Sequence, residues 1–236
     1  RGGSVLGFRC VVLGCFSGFV WQCANSPPLR VGKSTLAINL AVAFQQQDKK
    51  IHVLETDPTV STTSRWADDR EDAGLPPVIT TRKQGRLAAT LKELEEQNDV
   101  VLIDTVGKDS PEMRSAMTAA DVLLVPTGTS QADLDSTLDL ATTIENARDY
   151  NETLKTLIVI ARASTRAMSD EVQEARKYLE VFPTDATVAN VVIHHRKSYQ
   201  STLSEGISVV ESKDPKAKAE IQLLSQEILA LKDQVK

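Results

Sequence analysis

The sequence predicts a single α/β domain built on a mostly parallel β-sheet with helices on both faces. Short continuous apolar runs alternate with longer amphipathic stretches from Val31 onwards, and strands buried on both faces read as such runs. A length of 236 residues fits one α/β domain better than two and can bury a core of its own. Aromatic residues are only 4% of the chain, which speaks against an all-β sandwich or barrel.

Residues 33–49 place Leu36, Leu40 and Phe44 at helical spacing, and residues 51–55 form a short apolar strand running into Glu55-Thr56-Asp57-Pro58. A short strand is expected over 78–81, then a helix over 84–97 with Leu87, Leu91 and Leu94 on one face. Residues 100–103 read as a buried strand closed by Asp104. A short helix follows over 111–120, with Ser110 placed to cap it and Pro111 in its first turn. Next come a strand over 122–125 and a long helix over 130–149. A strand over 157–160, a helix over 169–180 and a strand over 188–193 continue the alternation. A short helix over 197–205 stops at Gly206. The last helix, 216–235, carries Ile221, Leu224, Ile228, Leu231 and Val235 on one stripe. No repeat and no dividing linker interrupts the pattern, and such a sheet binds ligands at the carboxyl ends of its strands.

With 25% charged and 41% hydrophobic residues and a net charge of −5, the chain is not a disordered one. Residues 1–30 hold Arg1, Arg9 and Arg30 and no Asp, Glu or Lys. The rest therefore carries 24 of the 27 basic residues against all 32 acidic ones, a balance of −8. Bulk charge does not draw such a body to DNA or anionic lipid, so any nucleic-acid contact needs a local patch. All three cysteines (Cys10, Cys15, Cys23) lie in the first 30 residues, at spacings of no zinc or redox motif. The cysteine-free remainder suits a reducing cytosol.

The first 30 residues hold five of the 11 Gly and three of the five Phe, so composition changes sharply near Val31. The apolar run over 10–21 is shorter than the roughly 20 residues that span a bilayer. Arg9 ahead of it has the form of a signal sequence, but no cysteine-bearing secreted domain follows. Two readings stay open: an atypical leader supplying one buried strand, over 16–23 or 10–13, or sequence that is not native to the protein.

Val31-Gly32-Lys33-Ser34-Thr35 opens the first helix and matches the second half of the phosphate-binding pattern G-x-x-x-x-G-K-[ST]. In that pattern backbone N–H groups and the helix N-terminus hold phosphates, the Lys reaches the β- and γ-phosphates, and the hydroxyl ligates Mg²⁺. Asp57 follows the second strand, and Asp104 ends the apolar strand of Val-Val-Leu-Ile-Asp-Thr-Val-Gly. Nucleotide sites need strand-end carboxylates to hold Mg²⁺ and place water. Singly, each Asp reads equally well as a turn residue or helix cap; in this order they point to a nucleotide site.

VGKSTLAINLAVAF, HVLETDP, VVLIDTVG, DVLLVPTGTSQADLD and VIHHRKSYQSTLSEGISVVE together resemble the ParA/MinD-type P-loop ATPases, whose fold is SIMIBI-like. The similarity is greatest to the short ParA-type partition ATPases and runs from Val31 to the C-terminus. It implies ATP and Mg²⁺ as cofactors, with Arg30, Val31, Gly32, Lys33, Ser34 and Thr35 around the phosphates. Ser34 is then the Mg²⁺ hydroxyl and Asp57 holds the attacking water. Asp104 holds the metal through water, and Gly107 sits in the switch that senses the γ-phosphate. The resemblance further implies a homodimer sandwiching ATP, non-specific DNA binding, a centromere-binding ParB-like adaptor that stimulates hydrolysis, and a cytoplasmic, nucleoid-associated location.

The loop departs from the family pattern K-G-G-x-G-K-[ST]. Pro28 stands at the signature Lys, Leu29 and Arg30 at the two glycines, and Pro27 at the first Gly of the looser pattern. Proline lacks an N–H and side-chained residues resist φ > 0, so this loop is expected to bind ATP poorly. An altered N-terminal sequence, a degenerate ATPase and an unusual but working loop all remain open.

His194-His195-Arg196-Lys197 follows one strand and Arg162 and Arg166 the preceding one, so these cations are expected at one positive edge, as DNA phosphate contacts. The histidine pair has no ligand partner at metal spacing. The last helix mixes Lys with Glu220, Glu227 and Asp233 and has no aromatic residue, unlike a basic membrane-binding helix. The sequence thus reads as a DNA-partition ATPase that does not bind membrane. Its rivals are a ParA-like ATPase positioning a protein cargo, a DNA-binding scaffold with a dead loop, and a small-molecule ligase on the same fold.

Overall fold

The computed structural model describes residues 11–13, 32–57, 61–105, 110–166, 170–182 and 185–234. The chain runs β1 (Val11–Leu13), α1 (Lys33–Gln45), β2 (Ile51–Glu55), α2 (Thr62–Asp72), β3 (Ile79–Arg82) and α3 (Ala88–Gln97). It continues through β4 (Val100–Asp104), α4 (Pro111–Met117), β5 (Val122–Thr127), α5 (Gln131–Arg148), β6 (Lys155–Ala163) and α6 (Glu171–Leu179). It ends with β7 (Ala186–Val188), β8 (Ile193–His194), α7 (Ser198–Ser201) and α8 (Pro215–Lys232). The strands form one sheet in the order β3-β2-β4-β1-β5-β6-β7, with β8 beside β6, and these pairings are parallel. The α/β fold read from the sequence is the fold observed.

Strand side chains alternate between the faces of the sheet, so each apolar run feeds two cores. Val53, Val100, Leu102, Val122 and Leu124 pack under α1, α2 and α8, while Leu54, Val101, Ile103, Leu123 and Val125 pack under α3 to α6. Helix α1 is buried nearly all round, from Leu36 to Phe44, because α2, α8 and the sheet enclose it. Ile221, Leu224 and Ile228 of α8 are fully buried and Leu231 is buried, so this much of the stripe expected on the last helix packs within the chain; Val235 lies outside the described residues. No helix among the described residues is long and apolar enough to cross a membrane.

Several elements differ from the sequence reading. The first strand lies at Val11–Leu13, within the 10–13 alternative, and the 16–23 alternative falls outside the described residues. Helix α3 starts at Ala88 rather than residue 84. Residues 188–193 are not one strand. Pairing with β6 ends at Val188, resumes at Ile193, and shifts register around Arg162, which adopts φ 59. Among the described residues, the α-helix absent from the sequence reading is α2. Its buried face is Thr63, Trp66 and Arg70, helically spaced but mostly polar, so no apolar stripe marks it.

Trp66 and Arg70 join α2 to the segment after α7. The Trp66 indole N–H donates to the Ile207 carbonyl at 3.2 Å. The Arg70 guanidinium is 1% exposed. It donates to Pro76 and Gly206 carbonyls at 2.7 and 3.1 Å, and in bidentate fashion to Glu211 at 2.8 and 2.9 Å. Gly206 has φ 65, and a Cβ there would lie 2.4 Å from the Arg70 backbone nitrogen, so both conformation and space require glycine. From the other side, the buried Asn39 of α1 accepts from Ser208 Oγ at 2.8 Å and Val209 N–H at 2.7 Å.

Candidate nucleotide-binding site

Register alone brings the acidic strand ends together. Leu13 pairs with Asp104, and Asp104 with Glu55, so β1, β4 and β2 finish at one level of the sheet. Helix α1 begins at that edge. Its N-cap is Gly32 at φ 84, ψ 21, a left-handed conformation that side-chained residues resist. Among the described residues no side chain caps α1, and no acidic residue occupies its first turn, so its leading N–H groups and the positive end of its dipole suit an anion. Lys33, Ser34 and Thr35 are half-buried in that turn.

Asp104 is the electrostatic centre of the site. It is 2% exposed, and burial drives its carboxyl up to about 6. Hydrogen bonds from the Ser34 and Thr63 hydroxyls and the charge of Lys33 pull the other way, while Glu55 adds to the rise. Thr63 Oγ1 donates to Asp104 at 3.0 Å. The structure thus brings Lys33, Ser34 and Asp104 together. Asp57 is half-buried and lines a cleft with Glu55, Thr56, Arg82, Lys83 and Gln84 at the same end of β2. Arg30, Val31 and Gly107 lie outside the described residues.

The donor set fits Mg²⁺. Ser34 and Asp104 offer hard oxygens, which that ion prefers, and a buried carboxyl pushed up to about 6 gains from a cation beside it. Sequence reasoning missed Glu55 and Thr63. Glu55 is 1% exposed and accepts from the Thr63 N–H at 3.2 Å and from the Ser64 hydroxyl. The available signal was an acidic residue at a strand end two positions before Asp57.

The two strand ends that carry the cations expected at one edge lie side by side. Pairing of β8 with β6 sets Ala163 beside His194, and His195 N–H donates to the Ala163 carbonyl at 2.8 Å. Arg162, Arg166 and Lys197 are exposed. Arg196 is not a free surface cation: its Nε and Nη2 donate to Glu220 of α8 at 2.9 and 2.7 Å. His194 and Tyr199 reach the same carboxylate at 2.8 and 3.0 Å. Among the described residues no group of three His, Cys, Asp or Glu could hold a metal.

Known proteins share this fold. The chain is 25% identical over 181 residues to "Maintenance of carboxysome distribution protein A" of Gloeobacter kilaueensis, covering 77% of this chain and 79% of that protein. It is 24% identical over 188 residues to the protein of that name from Halothiobacillus neapolitanus, covering 76% and 82%. Its fold resembles apo McdA of Cyanthece, with TM-score 0.73, 17% identity, and 94% and 99% of the two chains covered. It also resembles the septum site-determining protein MinD of Pyrococcus horikoshii complexed with Mg-ADP, with TM-score 0.67, 19% identity and 94% and 97% coverage. A plasmid partition protein of Borrelia burgdorferi bound to AMPPNP gives TM-score 0.64, 16% identity and 94% and 99% coverage. The family model of the CobQ/CobB/MinD/ParA nucleotide binding domain matches residues 30–209, a span that includes Gly32, Asp57 and Asp104. The chain belongs to that family, within the ParA/MinD superfamily.

Proposed function

We propose that this chain is a positioning ATPase of ParA type, switched by ATP and working in DNA segregation. The observation that carries the reading is the meeting of the uncapped α1 N-terminus, Lys33 and Ser34 with the buried Asp104 at the ends of parallel strands. Lys33 reaches the β- and γ-phosphates, with Arg30, Val31, Gly32 and Thr35 around them. Ser34 and Asp104 would hold Mg²⁺, and Asp57 would orient the attacking water. Bound there, Mg²⁺ neutralises charge on the phosphate oxygens. ATP lies between two copies of the chain, and the loaded dimer is held on bulk DNA in the cytoplasm through Arg162, Arg166, Lys197 and their neighbours. Hydrolysis, stimulated by a centromere-binding adaptor, releases it.

A protein cargo is the second reading, favoured by the name that both curated relatives carry. Retention on non-specific duplex DNA, measured with Mg²⁺-ATP and Mg²⁺-ADP and with Lys33→Ala as control, tests the switch. Retention specific to ATP, lost in the variant and falling steeply with salt, supports it. Retention indifferent to nucleotide contradicts it and leaves a DNA-binding scaffold. The partner that raises ATP turnover then separates the cargoes: a centromere-bound adaptor marks DNA, an adaptor on a protein assembly marks the second reading.

A further inference from the structure

We propose that Thr63, held by Glu55, is a positioning residue for the metal-side carboxylate Asp104. The inference deepens the nucleotide-site reading and rests on it. Glu55 and Asp104 are register partners, so two carboxylates leave adjacent strand ends side by side in a buried place. Like charges so placed repel, and each needs fixed donors to keep one orientation.

Thr63 serves both. Its N–H donates to Glu55 Oε1 at 3.2 Å and its Oγ1 to Asp104 Oδ2 at 3.0 Å. The Ser64 hydroxyl and Arg82 at 3.6 Å complete the hold on Glu55. Thr63 is itself fully buried, in the first turn of α2. The far end of that helix is locked by Arg70 and Trp66, so its start has little room to drift. A β-branched side chain with its N–H committed has few rotamers left, which fixes the hydroxyl on one oxygen of Asp104. Outer partners of this kind orient a ligand, and losing one typically costs about 10–100-fold in metal affinity.

The test is binding of a fluorescent ATP analogue, first in chelator and then across a Mg²⁺ titration. Thr63→Val keeps the shape and removes the hydroxyl; Thr63→Ser keeps the hydroxyl. The expected result is unchanged binding in chelator for Thr63→Val, a Mg²⁺ midpoint moved upward by about tenfold or more, and return to the wild-type midpoint in Thr63→Ser. Glu55→Gln is expected to move the midpoint in the same direction and carries the test if Thr63→Val does not fold. A wild-type midpoint in Thr63→Val and Glu55→Gln overturns the inference alone. So does a loss of binding that is equal with and without Mg²⁺, which marks a structural role. If the wild type shows no Mg²⁺-dependent nucleotide binding, the nucleotide-site reading fails and the inference with it.

Discussion

Replacing Asp104 with Asn in metal-free protein is expected to stabilise the fold while removing the metal-side ligand. Burial moves the Asp104 carboxyl from 3.8 to about 6, so near neutral pH the fold holds an anion that costs more than it does in the unfolded chain. At about 1.4 kcal/mol per pH step, keeping that anion costs about 3 kcal/mol. Between 3.8 and 6 the folded chain binds more protons than the unfolded one, so stability falls as pH rises through this window and levels off above it. Asn carries no charge, its carbonyl can still accept from Ser34 and Thr63, and its amide can donate toward Glu55. Thermal melts in chelator near pH 8 should therefore place Asp104→Asn above wild type by roughly 6–12 °C for a chain of this size. The advantage should vanish near pH 4, where the folded wild type is protonated at this carboxyl. Adding Mg²⁺ and nucleotide should raise the melting temperature of wild type only. A variant no more stable than wild type near pH 8, or an advantage equally large in acid, refutes the reasoning.

Gly206→Ala should cost more stability than Gly32→Ala in denaturant melts. Among the described residues, a methyl group at Gly32 would meet nothing within 4 Å, so that variant loses about 1–2 kcal/mol to backbone conformation, whereas Gly206→Ala adds a 2.4 Å collision with Arg70. Glu211→Gln leaves the buried Arg70 without its anion and should cost on the order of 3 kcal/mol by chemical denaturation. Burial pushes the Glu211 carboxyl up, but the hydrogen bonds and charge of Arg70, with the Ser208 N–H, outweigh it and hold it below its usual 4.5. Its stabilisation is therefore present above 4.5 and lost as pH falls through the lower folded value, so wild type and Glu211→Gln should converge in acid. Lys197→Ala and Arg166→Ala should each weaken DNA retention and reduce its salt slope by about one. Arg196→Ala should mainly lower the melting temperature, since Arg196 is committed to Glu220.

The sheet was legible because its central strands are apolar runs, such as Val100 to Ile103, that are buried on both faces. Most helices were legible for the complementary reason: Leu36, Leu40 and Phe44, or Ile221, Leu224 and Ile228, repeat at the helical period. Helix α2 was not, because Thr63 and Arg70 occupy positions where the pattern looks for apolar residues. Burial there is satisfied by Glu55, Asp104 and Glu211, which lie on other elements of the chain. The same blindness hid Glu55 and Thr63 from the site, although Lys33, Ser34 and Asp104 were readable from their motifs. Arg196 looked like a surface cation because its partner, Glu220, is 24 residues away on α8.

Calorimetric titration of the whole chain with Mg²⁺-ATP, beside Lys33→Ala, tests the central claim most directly. The account predicts saturable Mg²⁺-dependent ATP binding by the wild type, weakened by the Pro27-Pro28-Leu29 sequence before Gly32 and lost in Lys33→Ala, because the α1 N-terminus, Lys33, Ser34 and Asp104 stand together. Absence of binding by the wild type, or equal binding by the variant, would contradict it.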